Sequence, residues 1–221
     1  MPSARWPQPK KRLTTEVTEA AEFAEKSGSI FLCGLCVLCG EFLLFVHTRR
    51  SQIMAEVNLH EILGKQYRAS IAMLREAVTQ CPESLWVAPE YPNKFWHIAY
   101  HVLYCTHVYL QNSREEFTPW KKHRENYQWL GPLPWPPHDR VRIETPYTKG
   151  EILEYLQVCW EETDARVPSL DFNAPSGFDW LPFSKLELQL YNLRHLQHHT
   201  GQLIDRLRTV SQIGIAWVGA V

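Results

Sequence analysis

The sequence predicts an all-α protein, an up-down four-helix bundle with a long Pro/Trp-rich connection between helices two and three. Three observations carry that prediction. Four segments repeat apolar residues at helical spacing, three of them open on capping signals, and no stretch sustains a period-two alternation between turn signals. Four amphipathic helices must bury their apolar stripes against one another, and a bundle is the economical way to do so.

The first helix is expected over about residues 57–80. Asn58 with Glu61 three residues on is a start signal, and Leu59, Ile62, Leu63, Tyr67, Ile71 and Leu74 recur at helical spacing before Pro82 ends the run. The second begins after Pro92, with Asn93 as its cap, and continues to about Asn112 through Phe95, Ile98, Val102, Val108 and Leu110. The third opens on the capping box Thr148–Glu151 and passes through Ile152, Leu153, Leu156, Val158 and Trp160 to about Val167, where Pro168 stops it. The fourth opens on a further box, Ser184–Glu187, and runs through Leu190, Leu193, Leu196, Leu203 and Leu207 to about Val210. Between the second and third lies Ser113–Tyr147, about 35 residues that hold six prolines alongside Trp120, Trp129 and Trp135. Its aromatic content argues that it packs onto something, either as a lid over a pocket at the bundle end or as a structural latch.

The composition suits a folded protein of one ordinary domain: 221 residues, 45% of them hydrophobic. With 23 basic against 24 acidic residues there is no electrostatic footprint for nucleic acid. The cysteines fall in one crowded run (Cys33, Cys36, Cys39) and three scattered positions, which reads as reduced thiols of a cytoplasmic protein rather than a disulfide framework. The run lacks a fourth soft ligand nearby, which argues against a metal there. Residues 30–46 are apolar except for Glu41, but a charge near the centre and basic residues on both sides argue against a membrane span. The pattern changes abruptly at Met54. Residues 1–53 are therefore expected to be an N-terminal extension upstream of a native start at Met54, or else a membrane-proximal segment, and residues 54–221 the bundle domain.

Ten histidines are present, and two short runs matter. His195 and His199, four apart on helix four, share one face and can chelate one ion; Asn192 and Gln202 extend the same polar stripe. A buried imidazole needs a partner, and a metal satisfies two at once. Gly201, unfavourable inside a helix, suggests a close approach by another helix or a ligand. Helix two repeats the spacing with His97 and His101. His101, central in that helix, is the candidate third nitrogen of a three-imidazole site with an open position, whereas His97 lies nearer the pocket rim. His198 either touches the site edge or faces water. An i, i+4 His pair alone is commonly a solvated face; two such pairs on apolar-striped helices favour a metal. A zincin would need Glu where Leu196 stands, and the Glu-x-x-His pairs of di-iron bundles are absent.

Trp96 leading into His101-Val-Leu, with Asn192-Leu-Arg-His195-x-x-x-His199-x-Gly-Gln202, resembles the DinB/YfiT-like family of metal-dependent four-helix-bundle enzymes over about residues 55–210. The resemblance implies a bundle with a long crossover, often a homodimer, and a divalent ion, commonly zinc or nickel, held by His101, His195 and His199. Relatives include thiol S-transferases, which implies a small-molecule substrate and a low-molecular-weight thiol. Such an ion lowers the pKa of a bound water or holds a thiol as thiolate, so a thiol transferase and a hydrolase are the expected activities. The alternative is a stress-linked helical bundle that binds metal without catalysis.

Overall fold

The computed structural model describes residues 57–221, which form one compact unit. The N-terminal extension, with its cysteine run and the apolar stretch 30–46, lies outside the described residues. The described helices are α1 (Leu59–Gln80), the single turn α2 (Glu83–Trp86), α3 (Phe95–Tyr109), α4 (Lys149–Arg166) and α5 (Lys185–Ser211). Among the described residues there is no sheet, only the isolated bridges Pro132–Arg140 and Pro175–Ser184. No helix among them is long and apolar enough to cross a membrane.

Helix starts follow the expected chemistry at three of the four long elements. Asn58 accepts from the Glu61 N–H at 3.1 Å, Thr148 and Glu151 form the full reciprocal box, and Ser184 accepts from the Glu187 N–H at 3.2 Å. For α3 the cap is Lys94 rather than Asn93, and it makes no side-chain cap bond. At the far end of α5, Gln212 takes the left-handed conformation with φ 56°, which closes the helix one residue beyond Ser211.

The helices pack in a ring, with α5 against α1 and α3, and α4 likewise against both. Cross-helix bonds give their directions. Arg68 meets Asp164 and Arg75 meets Gln157, so α1 and α4 are antiparallel. Tyr109 lies beside Gln189, Thr106 beside Asn192 and Asn93 beside Arg206, so α3 and α5 are antiparallel too. Cys159 bonds the Leu103 carbonyl and Glu162 bonds Gln111, which makes α3 and α4 parallel neighbours. The helical fold class stands, but α4 departs from strict up-down alternation. Two parallel neighbours require the chain to travel back along the bundle, and this is why their connection is long.

The core lies between these helices, and it corrects parts of the apolar reading. On α1, Leu63, Tyr67, Ile71, Leu74 and Val78 are buried, whereas Leu59 and Ile62 are exposed at 39% and 46%. On α5 the inward residues are Leu188, Gln189, Asn192, Leu196, Leu203 and Leu207, and Leu190 faces out. On α4 the buried row is Ile152, Tyr155, Leu156, Cys159 and Thr163, so the Leu153, Val158 and Trp160 positions sit at its margin. Trp120 from the long connection is buried in the core and stacks on Tyr155 at 4.7 Å and 5°. That ring acts as a latch of the connection; Trp129 and Trp135 of the same connection line a cavity beside α3.

Candidate metal centre

Because α3 and α5 run antiparallel, the middle of α3 faces the middle of α5, and His101 meets His195 and His199. His101 Nε2 lies 3.2 Å from His195 Nε2. The His101 ring centroid is 5.1 Å from that of His195 and 5.0 Å from that of His199, and the latter two are 4.6 Å apart. One ligand nitrogen from each of the three lies within 4.8 Å of the others.

Hydrogen bonds fix the tautomers. His101 Nδ1–H donates to the Gln128 carbonyl at 2.6 Å, leaving Nε2 as a bare lone pair. His199 Nδ1–H donates to Gln202 Oε1 at 2.7 Å and leaves its own Nε2 bare. His195 Nδ1 is buried without a partner. A lone pair facing a second nitrogen at 3.2 Å needs something positive between them, a proton or a cation. Two nitrogens bound tetrahedrally to one zinc ion at their usual bond length stand about 3.3 Å apart. The donor set therefore fits a divalent ion.

Electrostatics keep the donors unprotonated. Burial, opposed by the Gln128 carbonyl and aided by His199, lowers His101 to about 4. Burial, then the charges of His101, His199 and His198, lowers His195 to about 3. His199 is lowered as well, chiefly by burial, with Gln202 acting against it. All three are neutral at pH 7, the state in which imidazole is a ligand.

The other expected residues sit around this centre in different ways. His97 is 6% exposed rather than at a rim; its ring stacks on Trp96, and Nε2 bonds the Tyr127 carbonyl at 2.8 Å. It thus ties down the connection one residue before the carbonyl that orients His101. Asn192 is fully buried and donates to the Thr106 carbonyl at 3.2 Å, joining α5 to α3 below the histidines. Gln202 is exposed and supports His199. His198 is exposed, its ring 5.0 Å from that of His199. Gly201 does not mark a close approach: nothing lies within 4 Å of the place its Cβ would take, because its side of α5 is open.

His101 also forms part of the wall of a cavity of about 590 Å³. From α3 the wall receives Tyr104, Cys105, Val108 and Tyr109, all on the His101 face. The long connection adds Gln128, Trp129 and Trp135, while Arg114 and Trp180 enter from the ends of the two connections. Cys105 Sγ lies 4.0 Å from His101 Nε2, and burial pushes its thiol up to about 12. Tyr104 and Cys105 follow from the helical spacing of His101 and were missed by a reading confined to histidines. Arg114, Gln128 and Trp180 come from irregular segments that no periodicity places.

A helical bundle with three neutral imidazoles converging beside a cavity defines a class, the helical proteins able to hold a divalent ion between facing helices. Residues 66–203 match the DinB superfamily, and the chain belongs to it. No curated protein and no solved structure matches the chain.

Proposed function

We propose that the chain is a metal-dependent enzyme that joins a low-molecular-weight thiol to a small electrophile, with His101, His195 and His199 holding a divalent ion. Zinc is the first choice and nickel the second, because both accept three imidazoles. The observation that carries the reading is the convergence of the three ring nitrogens within 4.8 Å, with His101 facing the cavity. Bound there, the ion would supply the positive charge that favours a thiolate at neutral pH. His101 and His199 are held in register by Gln128 and Gln202, and Trp129 and Trp135 of the connection line the cavity beside them. No carboxylate lines the wall among the described residues, which suits thiol transfer better than hydrolysis, since a thiolate needs no general base. The same lack supports the alternative of a metal-binding bundle without catalysis.

The test is elemental analysis of the purified protein followed by conjugation of a thiol to monochlorobimane. In that reaction the S–C bond forms as C–Cl breaks, releasing chloride and the thiol proton. We expect one divalent ion per chain, conjugation abolished by chelator, and loss of both ion and activity in His199→Ala. An absent ion, or conjugation indifferent to chelator, overturns the proposal. Retained metal without turnover of thiols or esters decides for the non-catalytic bundle.

A further inference from the structure

We infer that the cavity beside His101 is a site for a planar aromatic carboxylate, its ring held between tryptophans and its anionic group on Arg114. The inference deepens the proposed function by naming the substrate class of that site, and it rests on that reading only for the claim that the occupant reacts there.

The size comes first. About 590 Å³ lies within the range of cavities that enclose drug-sized molecules, and is ample for a fused two-ring system. The wall is made largely of flat rings: Tyr104, Tyr109, Trp129, Trp135 and Trp180. Trp135 and Trp180 are 45% and 56% exposed, although large rings normally find cover. Trp135 is held edge-on to Trp129 at 6.1 Å, and Trp180 edge-on to Phe178 at 5.4 Å, so their faces are braced from beside. Braced, exposed ring faces on one cavity suit a flat occupant that stacks.

The charge comes second. Arg114 is the sole formally charged side chain in the wall. Among the described residues it forms no ion pair; its guanidinium lies 5.4 Å over the Phe117 ring. Its charge is close enough to act on the Tyr104 phenol, which lines the cavity, as well as on the neighbouring Glu115 carboxylate. Its backbone is pinned, since its N–H donates to the Gly177 carbonyl at 3.3 Å. A fork of guanidinium donors outside any ion pair, over an aromatic floor, calls for an acceptor-bearing, negatively charged ring.

The experiment compares 2-naphthoate with 2-naphthamide, which share a ring and differ in charge, by calorimetric titration of the full chain. Native protein should bind the carboxylate about tenfold more tightly than the amide. Arg114→Gln should erase that preference, and Trp135→Ala should weaken both probes alike; both positions are exposed, so unchanged melting temperatures are expected and should be checked. The titrations are repeated after chelator treatment, where the preference should persist. Equal binding of the two probes, or a preference that survives Arg114→Gln, overturns the inference. A preference that vanishes with the metal puts the carboxylate on the ion and likewise overturns it. Failure of the proposed metal chemistry would show instead in the elemental analysis, leaving these affinities unchanged.

Discussion

At the scale of single residues, the polar atoms behind the histidines decide how well the three rings are aimed. Gln202 touches only His199 at the site, and it is exposed, so its loss should leave the fold intact. We predict that Gln202→Ala weakens zinc binding by roughly 10–100-fold, read by competition with a chromophoric chelator, with no change in the melting temperature of the metal-free protein. The three candidate ligands were legible in the sequence, because four-residue spacing puts His195 and His199 on one helical face whatever surrounds them. His101, chosen over His97 for its central place in the helix, is the one that lies beside that pair. His101 faces α5, and His97 turns under the long connection toward Tyr127. Arg114 and Gln128 were not legible, since a loop residue's place depends on tertiary contacts that no local pattern encodes.

At the scale of elements, helix starts could be read because capping is local chemistry, and α1, α4 and α5 begin where Asn58, Thr148 and Ser184 dictate. Helix direction could not, because nothing in a helix's own residues says whether the next one runs with or against it. The segment between α4 and α5 shows how much such connections carry. Gly177 has φ 82°, and a Cβ there would stand 1.9 Å from the Asn112 carbonyl oxygen, an overlap with backbone that no rotamer relieves. Beside it the buried Lys185 donates to the carbonyls of Gln111, Asn112 and Ser176, closing the end of α3 against the start of α5. Gly177→Ala should therefore destabilise the protein by about 2 kcal/mol or more, measured by urea unfolding. Because Arg114 hangs on the Gly177 carbonyl, the same variant should also loosen the cavity wall.

At the scale of the whole molecule, the buried histidines make stability depend on pH. Burial lowers His97 and His107 as well as His101 and His195. Below the ordinary imidazole value of about 6.5, the unfolded chain binds more protons than the folded one, so stability rises with pH across that window. The melting temperature of metal-free protein should thus be level above about pH 7.5 and begin to fall near pH 6.5. The fall should continue toward the folded values of about 4 for His101 and about 3 for His195. His107, buried against Tyr155 and away from the centre, allows a clean check: His107→Gln should flatten the upper part of that slope in a calorimetric series.

The parallel run of α3 and α4 has a last consequence. The return journey it imposes supplies the carbonyl that steers His101 and two of the tryptophans beside it, so the imidazoles and their surroundings have separate origins. In this chain Gln128, Trp129 and Trp135 can therefore be substituted without touching the turns of α3 and α5 that carry His101, His195 and His199.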